Sequence, residues 1–350
     1  MFKKLFLYTS IITFTFSHTN MENNTSYIDE THTLVSHKVL EWADKLDTTL
    51  SEWMGSDENG TKKDKEVEKN VIKEPQRYTV DAFFQSNKYF GETENTFVRV
   101  RTDSIFQTQK SNKFNLRVSA QIPFHKSKQN FKFFIDDLNI DNAKNVFQDD
   151  EADTKTFPEL GMHYFAPEKY GVVSRYSLGF QGISPFVRAR YSMPLKKGSW
   201  EIEPVQILKY SYNDGFEEET NIYFDKEFAE LSLLRVQLHR KTQDEVKGMD
   251  YAFAVEYYFS PIDKAAIRIS QGFFGNTKYP YVVDNTIEPP LTKSFGGINN
   301  YVTSISWRQN IWRDWFYYEV SPSINFHKDY DYEPNYSLRI FLDFHFGEYK

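Results

Sequence analysis

The side chains best equipped for chemistry are charges set two residues apart. Arg99 and Arg101, Arg117, Lys132, Arg175, Arg188 and Arg190 occupy one parity of early alternating segments, and Glu201, Glu203, Glu217 and Glu219 follow close behind. Arg235, His239, Glu256, Arg268, Arg308, Glu319, Arg339 and Asp343 carry the pattern toward the C-terminus. Two chemistries fit it. Opposed positive and negative walls across a wet channel would orient polar solutes and bias ion passage. The same side chains, paired with one another, would instead brace or close an interior. The sequence leaves both open.

Bond-making chemistry has little support. A serine hydrolase needs Ser, His and an orienting acid or amide converging in space, and neither Gly-x-Ser-x-Gly nor His-x-Ser-Asn-Gly occurs. His239 beside Arg240 and His163 beside Tyr164 read as interior or rim polar residues. There is no His-Glu-x-x-His and no carboxylate loop with metal-ligand spacing. The alternating acids Asp329, Asp331 and Glu333 read as a solvated loop. The chain has no cysteine, which removes disulfides and thiolate metal sites. The expectation is a protein that is no enzyme and takes no cofactor and no metal.

What must position the charges is a set of β-strands. Tyr336–Phe346 places Leu338, Ile340, Leu342, Phe344 and Phe346 on one parity and Ser337, Arg339, Asp343 and His345 on the other. A run of about ten residues with period two suits a strand that faces lipid on one side and water on the other. Phe114–Phe124 repeats it, with Leu116, Val118 and Ile122 against Asn115, Arg117 and Gln121; so does Asp250–Phe259, with Phe253, Val255 and Tyr257 against Ala252, Ala254 and Glu256. Alternation from Thr96 onward predicts about 14 strands (12–14). Long connections, at Leu138–Glu159, Gly275–Asn300 and Lys328–Asn335, fall on one side of the count. The short ones, His125–Lys128, Glu168–Tyr170, Lys196–Ser199, Pro261–Asp263 and Arg313–Asp314, fall on the other. That sorting predicts an all-β fold, a transmembrane antiparallel up-and-down β-barrel over residues 96–347.

Composition agrees. Mean hydropathy is −0.62 with 26% charged residues, and no run approaches the roughly 20 apolar residues of a membrane helix. The 32 Phe and 23 Tyr exceed what a core needs and suit girdles at two lipid–water boundaries. A net charge of −7 offers no basic patch to nucleic acid. Residues 1–17, two lysines before a short apolar stretch ending Thr15-Phe16-Ser17, read as a secretory signal peptide. Residues 18–95 read as periplasmic. They hold an amphipathic helix at Leu34–Met54, a charged linker at Gly55–Arg77, and an apolar segment with Val80, Phe83, Phe84, Tyr89 and Phe90. The helix carries a stripe of Val35, Val39, Trp42, Leu46, Leu50 and Trp53 that should dock on the barrel mouth, a second helix or a periplasmic partner.

Several stretches carry a resemblance. Trp42-Ala-Asp-Lys-Leu-Asp47, Val80-Asp-Ala-Phe-Phe84, Thr96-Phe-Val-Arg-Val-Arg101, Pro185-Phe-Val-Arg-Ala-Arg-Tyr191, the Trp307-Arg-Gln-Asn stretch through Glu319, and Phe344-His-Phe-Gly347 resemble a family of uncharacterised proteobacterial outer-membrane β-barrel proteins with a short N-terminal periplasmic helix. The resemblance implies a Gram-negative outer membrane and contributes no catalytic residue; the even strand count is what predicts that both termini are periplasmic. Lipid and the barrel-assembly machinery are the implied partners. The strand number, and not the resemblance, leads to two functions: a pore for small polar solutes, since about 14 strands make a barrel wider than one filled by side chains, or a non-conducting structural barrel that displays loops and a docking helix.

Overall fold

A computed structural model describes residues 26–53, 80, 84, 96–124, 130–136, 158–229, 231–244, 246–262, 264–284 and 291–348. The expected signal peptide, the charged linker and most of the Leu138–Glu159 connection lie outside these residues, as does the side chain of Trp53.

Period-two alternation becomes strand after strand. The first group is β1 (Phe97–Gln107), β2 (Lys113–Pro123), β3 (Phe131–Asp136), β4 (Glu159–Lys169), β5 (Val172–Gln181), β6 (Ser184–Ser192) and β7 (Leu195–Lys197). The second is β8 (Trp200–Ser211), β9 (Gly215–Ala229), β10 (Ser232–Gln243), β11 (Val246–Ile262), β12 (Ala265–Asp284), β13 (Leu291–Gln309), β14 (Phe316–His327) and β15 (Pro334–Gly347). Every pairing is antiparallel, and all but two join strands that are consecutive in the chain. β7 continues β6 in one register, with Ser192 opposite Val205 and Leu195 opposite Ile202. Pro194, which has no N–H to give, marks the break between them. The two make one stave. β1 pairs with β15, Phe97 opposite Gly347 and Arg101 opposite Asp343, and this closes a barrel of fourteen staves.

The barrel is inverted relative to a soluble core. Phe114, Leu178 and Ile305 on its outer face are 67%, 65% and 50% exposed, whereas Asn221, Ser306, Arg308 and Asp343 on its inner face are fully buried. The faces are those that the alternation predicts. Large apolar side chains arrayed around an outer wall are what a strand presents to hydrocarbon.

The start of β1 and the end of β15 share one end of the barrel, the terminal end here; the other is the distal end. Among the described residues, the β4–β5 and β7–β8 turns at the terminal end are tight. Tyr170 and Gly171, with φ of 55° and 76°, link β4 to β5 in the left-handed conformation that a two-residue hairpin needs. At the distal end the sequence expectation needs correction: Gly275–Asn300 is no simple loop. β12 runs on to Asp284 and β13 begins at Leu291, paired through Tyr279–Phe295 and Tyr281–Lys293. Register shifts near Gly275 and Tyr279 interrupt the alternation, which hides these strand extensions in the sequence.

The helix α1 spans Tyr27–Trp53, beginning seven residues earlier than the Leu34 start that its apolar stripe suggests. Ser26 explains the difference. Its hydroxyl accepts from the Ile28 N–H while its own N–H donates to Asp29, a reciprocal cap three residues apart. Asp29 and Glu30 in the first turn also favour the positive end of the helix dipole.

Candidate functional site

The inner wall is the candidate site, and strand parity aims each of its side chains. Most of the expected charges meet partners there. Arg101 donates to Asp343 at 2.7 Å, and Arg308 stands 2.6 Å from the same carboxylate and 3.3 Å from Glu319. Arg268 lies 3.6 Å from Glu319. Arg339 and Arg117 share Asp103, at 2.5 and 3.2 Å. Arg188 and Lys209 share Glu159, at 2.6 and 2.8 Å. Arg235 grips Asp225 through two bonds of 2.8 Å. Arg190 approaches Glu203 at 3.8 Å, Lys241 meets Glu217 at 3.1 Å, and His239 lies 3.7 Å from Glu219.

The remaining expected residues are also placed on the inner wall. Arg99 donates to Ser119, and Lys132 sits over the ring of Phe165 at 4.6 Å. Arg175 stands opposite Arg190, and Glu201 opposite Asp225. The carboxylate of Glu256 is buried in the field of Arg268 and Arg235, with no hydrogen-bond donor in good geometry at either oxygen.

Opposed walls therefore describe the strands better than the contacts. Arginines do dominate β1–β6 and acids dominate β8–β9, but β6 and β8 are neighbours, so the two blocks meet and pair. The partners missing from the sequence reading are Asp103, Glu159, Lys209, Asp225 and Lys241. Asp103 shares parity with Arg101, and Asp225 with Glu219, so alternation alone could have found them. Glu159 gives no such signal. The sequence places it in a connection, whereas it is the first residue of β4 and 3% exposed.

His163, expected as a rim or interior polar residue, is buried on the inner wall, bonded to Ser177 at 2.8 Å and stacked on Phe134 at 3.9 Å. Among the described residues no group of three or more His, Asp or Glu side chains is arranged to hold a metal ion.

The terminal-end mouth carries two further contacts. Val80 and Phe84 are buried against Leu233, Tyr258 and Ala266, whose parity is that of the inner wall. Helix α1 packs beside β15 and β1. Asp29 accepts from Arg313 at 2.5 and 2.7 Å, and this guanidinium holds its carboxyl below the ordinary value of 3.8. His32 donates to the His345 carbonyl at 2.7 Å and stacks on Trp315 and Phe346. Of the expected stripe, Val35, Val39, Leu46 and Leu50 are half-buried, while Trp42 points away and is 70% exposed. The buried side chains are instead His32, Ala43, Asp47 and Ser51, a smaller and more polar face turned from the expected one. His32 decides the rotation, because its stack on the rim aromatics fixes which side of the first turns faces inward.

Comparisons with known proteins add little to this geometry. No protein-family model and no curated protein sequence matches the chain. The resemblance to a proteobacterial family thus has no matching model behind it. Solved structures of similar architecture include OmpT, an outer membrane protein of Vibrio cholerae, at 9% identity over 72% of this chain and 97% of that one, with a TM-score of 0.43. An anion-selective porin from Comamonas acidovorans matches at 8% identity over 72% and 98%, with a TM-score of 0.43. OpdK of Pseudomonas aeruginosa, solved with vanillate, matches at 6% over 72% and 98%, with a TM-score of 0.42. Likeness this remote carries nothing about activity, and the fold rests on the strand pairing itself.

Proposed function

We propose that this chain is an outer-membrane conduit for small polar solutes. The observation that carries the reading is the inversion: a polar, charged inner wall and an apolar outer wall on a closed barrel of fourteen staves. Eight staves leave an interior just wide enough for side chains, so this girth encloses more than a packed core. On this reading lipid covers the outer wall, the terminal end faces the periplasm, and the assembly machinery reads the aromatic strand end at Phe344 and Phe346. The outward Leu34 and Trp42 of α1 are then open to a periplasmic partner. Charge on the inner wall favours passage of hydrated, polar solutes over apolar ones.

A non-conducting interaction barrel is the second reading, favoured by the complete burial of Arg308 and Asp343. Planar-bilayer recording of the refolded, full-length protein separates the two. Discrete current steps in potassium chloride are expected. Folded protein that inserts without any current would sink the conduit reading.

A further inference from the structure

We infer that the outer wall of β8–β10 is a contact surface for a second copy of this barrel, built around Gln206, Glu218, Thr220 and Arg240. This rests on the reading that lipid covers the outer wall, and it names the stretch from which lipid is excluded. The four side chains share the outward parity, since Val205, Asn221 and His239 beside them in the chain are buried on the inner wall. Thr220 stands opposite Gln206 on one side and Arg240 on the other. Hydrogen bonds join all four. The Thr220 hydroxyl donates to the Gln206 amide oxygen at 2.7 Å, Arg240 Nε donates to Thr220 at 3.1 Å, and Arg240 Nη2 donates to Glu218 at 2.5 Å. Gln206 Nε2 donates to the same carboxylate at 3.3 Å.

Two features separate this cluster from the apolar wall around it. The first is depth. Gln206 lies between the outward aromatics Trp200 and Tyr210 of β8, and Glu218 and Thr220 lie between Phe216 and Phe228 of β9. At about 3.4 Å per residue and a tilt of ~40°, the strand from Trp200 to Tyr210 rises roughly 26 Å, the height of an apolar band. Lys226 on the same face keeps to the margin, over the rings of Trp200 and Phe228. Glu218 stands inside that margin with Arg240 paired to it, their side chains 32% and 46% exposed. A charge that faces hydrocarbon is the more destabilising the deeper it lies, so charged groups at membrane depth turn toward protein or water. The second feature is that both signs are present. Lipid phosphate would be drawn to Arg240 and repelled by Glu218, and an acyl chain satisfies neither. A two-fold contact uses one patch twice, so a patch with both signs is its own complement.

The absence of native cysteine makes the test direct. Leu238→Cys, next to Arg240 on the outward face of β10, is compared with Leu116→Cys, an outward position across the barrel on β2. Both are full-length protein in lipid vesicles, treated with a short bifunctional thiol reagent that joins copies lying within its reach. At least tenfold more dimer from Leu238→Cys than from Leu116→Cys is expected, with a yield unchanged by tenfold dilution into lipid. Adding Arg240→Glu, with the fold checked by heat-modifiable migration, sets like charges against each other and should lower the dimer at least tenfold. The Glu218→Arg/Arg240→Glu exchange should restore it. Equal yields at the two positions, or a yield that falls in step with dilution, would mean random collision and overturn the inference. A dimer undiminished by Arg240→Glu would take the patch out of the contact and overturn it as well. Attack on Leu116→Cys by a water-soluble maleimide as fast as on Asn213→Cys, in the β8–β9 turn, would instead sink the reading that lipid covers the outer wall.

Discussion

Replacing Asp343 with Asn tests whether the inner wall near its terminal end is dry. The substitution keeps the side-chain shape and deletes one charge that faces Arg101 at 2.7 Å and Arg308 at 2.6 Å, with no exposure at the carboxylate. Removing one partner of a buried pair costs about 3–5 kcal/mol, because the other charge stays buried without its counter-ion. Here Arg308 keeps Glu319 at 3.3 Å, so the lower end applies, about 3 kcal/mol. That is roughly a hundredfold in the unfolding equilibrium. Urea titration of vesicle-inserted protein, followed by tryptophan fluorescence, should show the midpoint falling with the slope unchanged. The Arg101→Met/Asp343→Leu pair removes both charges and should regain most of the loss. A solvated pair is worth only about 0–1 kcal/mol. An Asn variant within about 1 kcal/mol of the native protein would show that water screens this cluster, and the dry-wall reasoning would be wrong.

Three further outcomes are expected. Gly179→Val should prevent the β4–β5 hairpin from pairing: Gly161 stands directly opposite, and a Cβ on Gly179 would run into the Leu160 carbonyl oxygen and lie 3.1 Å from the Gly161 Cα, so the two backbones are too close for side chains. The readout is loss of the heat-modifiable band, and a normally folded variant would contradict the close approach. His32→Ala should make α1 protease-sensitive, whereas Trp42→Ala, at an exposed position, should leave the digestion rate unchanged. The reverse order would mean that the apolar stripe docks and the observed face does not. Acid should also loosen α1. The carboxyl of Asp29 is held low by the hydrogen bonds and charge of Arg313, so its contribution is complete above the ordinary value of 3.8 and fades as pH falls below it. Hydrogen exchange in the first helical turns should rise in that window and not near neutrality; Asp29→Asn should abolish the pH dependence.

Parity made most of the barrel legible. A strand with one face in lipid must alternate, so the faces of β2, β11, β14 and β15 follow from the residues alone. Pairing did not follow, because which inward charge meets which depends on stagger between neighbouring strands, and no single strand records it. Arg339 reaches Asp103 on the diagonal, while its direct neighbour across the seam is Ile105. Extensions beyond the lipid band were hidden for a different reason. Bulges around Gly275 and Tyr279 shift the period, so the strands of β12 and β13 look like loop. In α1 the stripe identified a helix but misplaced Trp42, since hydrophobic spacing cannot register a histidine whose value is to stack and donate at once.

The attachment of α1 fixes an order of events. Its Asp29 is held by Arg313, 284 residues later, and its His32 by the carbonyl of His345, 313 residues later. The first described element rests on the last. Its platform is the β13–β14 turn and the end of β15, and it comes into being only when the final hairpin has paired. Docking of the helix is therefore a late step that a sheet lacking its last hairpin cannot reach, and its protection from proteolysis dates the moment at which β14 and β15 have paired.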